Sequence, residues 1–486
     1  MTGNIPRILI AAPASGSGKT MITCGLLKAM KRRKRSCVSF KCGPDYIDPM
    51  FHKYVLGIDG YNLDSFFLEK WQVRELFLEK TKTADLAVIE GVMGYYDGVA
   101  GISLQASSYE IAQITESPVI LVVDGKKSSL SLAALVKGFL EYEADSRIAG
   151  VILNRVSPMM EQRLRPHLEK LGIRCFGAVP ECEEAELESR HLGLTLPMEQ
   201  KRLQDKLERL ADRLEQCLDL DGILELAESA CQLETDRNGG GKAAEGSETD
   251  RNGEGEAAEG SEKGSWAAVK NEKTAEDRSG MPPAYAGRQR RRMGVAVDEA
   301  FCFYYQENLD FLKEHGWELL FFSPIHDSRL PDGVQAVLLG GGYPECYGKE
   351  LSENDSMKEE IRRLTASGGK LLAECGGFLY LHEALEGTDG KLYEMAGLLP
   401  ERAYRTNRLS CFGYITLQGE RGEIRAHEFH YWDSTGAGTA MEAVKPLNHR
   451  SWQCMHVNDT MIAGFPHLYY RSNPEFVLTF LNGQEV

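Results

Sequence analysis

The chain reads as an α/β protein of two doubly wound domains joined by a disordered linker. Apolar β-like runs alternate with helical stretches at both ends of the chain, and glycine-rich loops follow several of those runs directly. Between the two ends lies a segment without the aliphatic residues a core would need. A length of 486 residues allows two or three domains.

In the first half the β-like runs are 7–12, 86–89, 119–123 and 149–153, separated by helix-forming sequence as in a parallel sheet. Its last helix is marked by the stripe Leu203, Leu207, Leu210, Leu214 and Leu218. That stripe spans about two heptads, too few for a partner zipper, and reads as packing. The linker covers 231–290, where the block 234–247 recurs nearly unchanged as 248–261, rich in Gly, Glu and Ala. In the second half the strands are 293–297, 336–339 and 370–373, with a helix expected over 378–385. The domains are therefore 1–230 and 291–486.

Composition narrows the function. A net charge of −16 argues against a nucleic-acid groove, which needs clustered Lys and Arg. The basic runs 31–35 and 290–292 are short enough to be solvated faces. Twelve cysteines are scattered without a C-x-x-C pair, the pattern of reduced thiols in a cytoplasmic protein. No apolar stretch reaches membrane-spanning length, so no membrane partner is expected.

Two loops carry chemistry. The first is A-S-G-S-G-K-T at 14–20, between the strand 7–12 and an apolar helix over 21–30. The amides around Gly16, Ser17 and Gly18, with the helix N-terminus, suit phosphate oxygens. Lys19 would reach the outer phosphates, and the Thr20 hydroxyl would bind Mg²⁺. Pro13 stands where the general pattern has glycine. Glu90, at the carboxyl end of the strand 86–89, faces the crevice of such a sheet and suits a second metal ligand. Asp97 lies in the same loop and is the weaker candidate. The stretch K-C-G-P-D-Y-I-D-P at 41–49 sets Asp45 and Asp48 around Tyr46. It is either a metal- and substrate-facing loop or a rigid turn with solvated acids, and spacing does not decide.

The second loop is A-E-C-G-G at 373–377. Cys375 ends a strand, two glycines permit a sharp turn, and the following helix N-terminus is expected to lower the thiol pKa. Gly341 and Gly342, after the strand 336–339, offer amides for an oxyanion hole. A base is needed, and His427, His430 and His467 are equal candidates by spacing.

With these motifs stands a longer series in order: N-L-D at 62–64, E-G-V-M-G-Y-Y-D-G at 90–98, V-I-L-N-R at 151–155, R-H-L-G-L at 190–194, F-C-F-Y-Y-Q-E-N-L at 301–309, G-G-G-Y-P-E at 340–345 and H-E-F-H-Y at 427–431. The series resembles the cobyrinate a,c-diamide synthase family over nearly the whole chain outside the linker. The resemblance implies a dethiobiotin-synthetase-like N-terminal domain and a C-terminal class I glutamine amidotransferase domain. It also implies ATP and Mg²⁺ as cofactors, cobyrinate and L-glutamine as partners, and two successive amidations through an acyl phosphate. Cys375 becomes the glutamine-attacking nucleophile and His467 the histidine that sharpens it. Asp45, Tyr46 and Asp48 handle metal and substrate, and Asn154 reads the adenine. In the wider amidotransferase class a glutamate stands two places after the histidine. Here that residue is Tyr469, and Ala426 replaces the usual glycine before H-E-F-H.

Hydrogenobyrinate and nickel-sirohydrochlorin are alternative substrates for the same motifs. Outside the enzyme class, a P-loop nucleotide switch is the rival, although it would carry a lysine where Ala14 stands and would leave E-C-G-G without a use. A glutaminase half serving only as scaffold is a third reading. The sequence leaves room for a homo-oligomer.

Overall fold

The computed structural model describes residues 2–181, 189–190, 193–194, 203–235 and 291–483. The repeat and nearly all of the linker expected at 231–290, together with part of R-H-L-G-L, lie outside the described residues.

The first half is built on a seven-stranded sheet whose register is parallel throughout. Its strands are β1 (Arg7–Ala11), β2 (Cys37–Cys42), β3 (Gly60–Leu63), β4 (Leu86–Glu90), β5 (Val119–Asp124), β6 (Ile148–Asn154) and β7 (Arg174–Val179), in the order β3-β2-β4-β1-β5-β6-β7. Helices cover both faces, so β1 and β4 are buried along their whole length and read as continuous apolar runs. Helix α1 (Lys19–Arg32) follows the phosphate loop. Helix α2 (Leu203–Cys217) lays Leu203, Leu207, Leu210 and Leu214 into the core beside α1, the packing role its stripe suggested. The basic run 31–35 is solvent-facing, as expected, with Arg32 and Arg33 paired to surface acids.

The second half holds a six-stranded sheet in the order β9-β8-β10-β11-β17-β16. Its strands are β8 (Arg291–Ala296), β9 (Trp317–Phe322), β10 (Ala336–Leu339), β11 (Lys370–Glu374), β16 (His456–Val457) and β17 (Met461–Gly464), with only β16 antiparallel to its neighbour. A five-stranded antiparallel sheet packs beside it in the order β15-β14-β12-β13-β18. It comprises β12 (Cys411–Gly419), β13 (Gly422–His430), β14 (Met441–Val444), β15 (Ser451–Cys454) and β18 (His467–Leu468). The helix expected over 378–385 is shorter: α4 (Gly376–Tyr380) follows α3 (Gln306–Glu314) in chain order and stops early. The residues beyond it are drawn into a small sheet, where Ala384–Glu386 pairs on both edges. Tertiary pairing overrides the helical pattern there.

The halves share one apolar seam. Tyr305 and Tyr469 belong to the same buried cluster as Phe67 and Phe77, while Phe303 joins the cluster beneath α1. Tyr469 stacks on Phe67 at 4.7 Å between centroids, and Phe66 stacks on Tyr414 at 4.5 Å. Polar ties rim the seam. Tyr414 OH donates to Asp64 at 2.7 Å, Arg425 donates to Phe66 O at 2.6 Å, and Lys80 pairs with Asp310 at 2.7 Å. Inside it, the Asn62 amide donates to the buried carboxyl of Glu307.

Burial pushes Glu307 up to about 7. A carboxyl raised above its unfolded value contributes stability that is fully present below about pH 4.5 and is lost as pH rises through about 7. Glu307→Gln keeps an acceptor for Asn62 and removes the titration. The urea midpoint of the wild type is therefore expected to fall between about pH 4.5 and 7 more steeply than that of the variant. Parallel slopes would remove Glu307 from this account.

Candidate active site

The carboxyl ends of β1, β2, β4 and β6 meet where the strand order reverses, the position where open α/β sheets bind ligands. The loop after β1 turns at Gly18, whose φ of 96° favours glycine. A side chain there would also place Cβ 2.2 Å from Asn154 Nδ2. That amide donates to Ser17 O at 2.9 Å, while Ser17 Oγ donates to Ala14 O at 2.8 Å, so both residues brace the loop. Lys19 Nζ donates to Met93 O at 2.5 Å and to Ala14 O at 3.4 Å. Burial, reinforced by Lys41, brings its pKa down to about 8.

Behind the loop lies a buried lattice of acids and one lysine. Thr20 Oγ1 donates to Glu90 Oε1 at 2.5 Å. Lys41 Nζ reaches the same oxygen at 2.8 Å and Asp48 Oδ2 at 2.5 Å. Burial alone would lower Lys41, but Asp48 and Glu90 hold it well above the ordinary lysine range. Glu90 Oε2 and Asp48 Oδ1 are buried without a hydrogen-bond partner. Asp48 is only 2% exposed, so the solvated-turn reading of 41–49 does not hold for it. Asp45 caps the short helix Ile47–Phe51, its Oδ1 accepting from the amides of Ile47 and Asp48, and burial followed by Asp48 pushes it up to about 7. Asn62 holds the loop in place, donating to Gly43 O at 2.9 Å and Asp45 O at 2.7 Å.

In the second half, Cys375 sits between β11 and α4 with φ 48° and ψ −103°. A non-glycine residue in that region stores roughly 1–3 kcal/mol of strain, the signature of a nucleophile elbow. The expected lowering of the thiol pKa is not found. Burial, followed by Glu345, pushes it up; α4 has only five residues, and the Gly376 amide does not offset these effects. The resting sulfur is a thiol, and a base must take its proton during the reaction.

Cys375 Sγ lies 4.0 Å from Phe429 O, and His467 is a candidate base lining the same cavity. Burial, with His430 second, holds it down to about 3, so it rests neutral. Its Nδ1 is buried without a hydrogen-bond partner and lies 3.8 Å from Glu374 Oε2, the residue preceding the thiol. Glu374 accepts from Tyr470 OH at 3.1 Å, and burial raises it to about 8. Tyr469, in the place of the class's usual glutamate, turns into the seam against Phe67 and Tyr305. Gly341 passes so close to the imidazole that a Cβ would come within 2.3 Å of His467 Cε1. His430 is engaged elsewhere: burial opposes its charge, but Cys411 and Glu428 outweigh it and raise the group to about 9. His427 pairs across the sheet with His467, and burial lowers it to about 3.

Both loops open into one cavity of about 1320 Å³. Gly16, Gly18, Lys19, Thr20, Asp45, Tyr46, Asp48 and Asn154 line it from one half, Gly342, Cys375 and His467 from the other. Ser17, Glu90 and Gly341 are not among its lining residues. Tyr46 marks the junction, with its ring 4.9 Å from that of His467 and stacked on Phe303 at 5.5 Å. Sequence reasoning missed Lys41, Asn62 and Glu374, although each lies in a motif it had quoted.

A phosphate loop and an elbow thiol in one cavity define a glutamine amidotransferase joined to a nucleotide-binding domain. Residues 8–194 match the CobQ/CobB/MinD/ParA nucleotide binding domain, and residues 292–474 match the CobB/CobQ-like glutamine amidotransferase domain. The chain belongs to the cobyrinate a,c-diamide synthase family. The family member of Caldanaerobacter subterraneus subsp. tengcongensis is 34% identical over 98% of this chain and 97% of its own. The one from Listeria innocua serovar 6a is 36% identical over 97% and 98%, and that of Fusobacterium nucleatum subsp. nucleatum 35% over 96% and 98%. Among the described residues no helix is long and apolar enough to cross a membrane.

Replacing Lys41 by Met would leave Asp48 and Glu90 buried without their cation. Breaking such a cluster costs about 3–5 kcal/mol, a large drop in denaturant midpoint. A midpoint within error of wild type would show that the lysine does not compensate these carboxylates.

Proposed function

We propose that this enzyme amidates the a and c acetate carboxylates of cobyrinate in cobalamin biosynthesis, using ATP to activate each acid and glutamine to supply nitrogen. The observation that carries the reading is the single cavity shared by Lys19 and Cys375. Residues 1–230 form the amidoligase domain, 291–486 the glutaminase domain, and 231–290 the linker, whose first residues Leu233 and Glu234 pair with Thr2 and Gly3 of the first domain. A reaction drawing on ATP, glutamine and a reduced thiol belongs in the cytoplasm.

A carboxylate is a poor electrophile at neutral pH. Its oxygen attacks the γ-phosphorus of ATP, ADP leaves, and an acyl phosphate results. Lys19 and the amides of Gly16, Ser17 and Gly18 neutralise the charge that develops on the phosphoryl oxygens. The orphaned oxygen of Glu90, beside Thr20, suits a divalent cation, and that of Asp48 lies across Lys41 from it. Thr20, Glu90 and Asp45 would hold Mg²⁺, which supplies Lewis-acid charge neutralisation at the phosphates. Asp48 and Tyr46 position the acid, and Asn154, whose amide has one donor and one lone pair left, borders the adenine.

In the other half, His467 takes the Cys375 proton and the sulfur attacks the glutamine carboxamide. The amides at Gly341 and Gly342 receive the oxyanion. The C–N bond breaks, ammonia departs with the proton, and water releases glutamate from the thioester. Ammonia then attacks the acyl phosphate past Tyr46, and the C–O bond to phosphate breaks, the departing phosphate taking the proton that nitrogen loses. Because the cavity is shared, ammonia avoids protonation in bulk water. Glu374, 3.8 Å from Nδ1 of His467, would orient the ring on closing to hydrogen-bond distance, the part that Tyr469 does not play.

Mass spectrometry after incubation with ATP, glutamine and cobyrinate is expected to show hydroxyl exchanged for amino twice in succession. Hydrogenobyrinate and nickel-sirohydrochlorin run beside it, and turnover of either in place of cobyrinate would reassign the substrate. Cys375→Ala is expected to lose glutamine-supported turnover and keep ammonium-supported turnover; retained use of glutamine sinks the nucleophile assignment. Glu374→Gln is expected to lower glutamine-supported kcat by about 100-fold with little change in ammonium-supported turnover. Equal loss with both nitrogen sources would make Glu374 a folding residue.

A further inference from the structure

The cavity wall contributed by the second half carries features that phosphate transfer and glutamine hydrolysis leave unused. Phe412, Tyr431 and Leu447 line it while remaining 58%, 37% and 43% exposed, and Met93 faces it from the first half at 41%. Buried polar chemistry surrounds Cys375, so large apolar side chains at the mouth demand a separate reason. Beside them lies the tip of the β14–β15 hairpin, closed where the Lys445 amide donates to Arg450 O at 2.9 Å. Both residues line the cavity. Lys445 Nζ is held by a carbonyl, Phe412 O at 2.5 Å, and the Arg450 guanidinium lies 5.9 Å from the Trp452 ring. Two cations thus flank an apolar ledge, and Glu428 is an acid whose charge bears on Lys445.

We infer that the hairpin tip and the ledge of Phe412, Tyr431 and Leu447 form the docking face for the macrocycle, with Lys445 and Arg450 holding peripheral carboxylates that are not being amidated. The inference rests on the function proposed above. Its occupant follows from charge and shape: a flat, largely apolar ring bearing several carboxylates needs an apolar ledge edged by cations. At about 1320 Å³ the cavity exceeds the usual 300–1000 Å³ of a single-ligand pocket, leaving room for a nucleotide and a macrocycle together. The cations come from the glutaminase half and the phosphate loop from the other, so the substrate bridges the two.

The test is steady-state kinetics with cobyrinate varied at saturating ATP and glutamine, for wild type, Lys445→Ala, Arg450→Ala and Phe412→Ala. Each cation variant is expected to raise the KM for cobyrinate about 10-fold or more, with kcat near wild type. Arg450→Lys is expected to recover part of that rise. Titration of cobyrinate into the wild type should also weaken as salt is raised, a measurement that needs no variant. An unchanged cobyrinate KM would overturn the inference. So would a rise confined to the KM for glutamine or for ATP, which would make the cations a subsite for glutamine's carboxylate or for the nucleotide. A wild type that does not amidate cobyrinate would sink the proposed function itself, a result distinct from either.

Discussion

The aromatic seam between the halves is the constraint on which the rest depends. Tyr46, Phe303, Tyr305, Phe67 and Tyr469 interlock across it, and each aromatic pair adds about 0.5–1.5 kcal/mol beyond its buried area. Two α/β sheets could be joined in many orientations. This seam selects the one in which the carboxyl end of β4 and the end of β11 look into the same space. Tyr469 sits where the wider class keeps a catalytic acid, and here it serves the seam. The neighbouring strand supplies a carboxylate in Glu374.

Burial sets the electrostatics on both sides of Tyr46, but with opposite results. Around Lys41 it packs opposite charges against one another, leaving carboxylate oxygens with unused valence next to Thr20. Around Cys375 it keeps thiol, imidazole and carboxyl in their neutral forms, so that charge separates only when a proton is moved. One wall of the cavity is thus charged and the other neutral. Burial thus gives the two loops opposite electrostatics a few side chains apart.

Much of this was legible in the residues. The strands β1, β4, β5, β6, β10 and β11 announce themselves because parallel strands covered on both faces are continuous apolar runs, and the glycines after β1, β10 and β11 mark the turns that follow. The β12–β13 hairpin was missed even though Ile415 and Leu417 alternate with exposed Phe412 and Gln418, and Gly422 supplies the turn. Alternation of that kind is weak wherever one face lines a ligand cavity, because functional residues replace the expected polar ones. Lys41 was overlooked since a lysine at a strand end reads as surface until its partners are known. Glu374 was hidden by its neighbour, because an acid preceding a thiol has no visible partner until the fold brings His467 beside it. The lowered thiol pKa expected from the helix failed because helix length and burial are tertiary facts.

Asn62 has one more consequence. Its backbone is tethered to Glu307 of the glutaminase half, while its side chain clasps the carbonyls of Gly43 and Asp45. The spacing between α3 and the loop 43–45 therefore runs through one residue, whose amide holds the helix and whose side chain holds the loop.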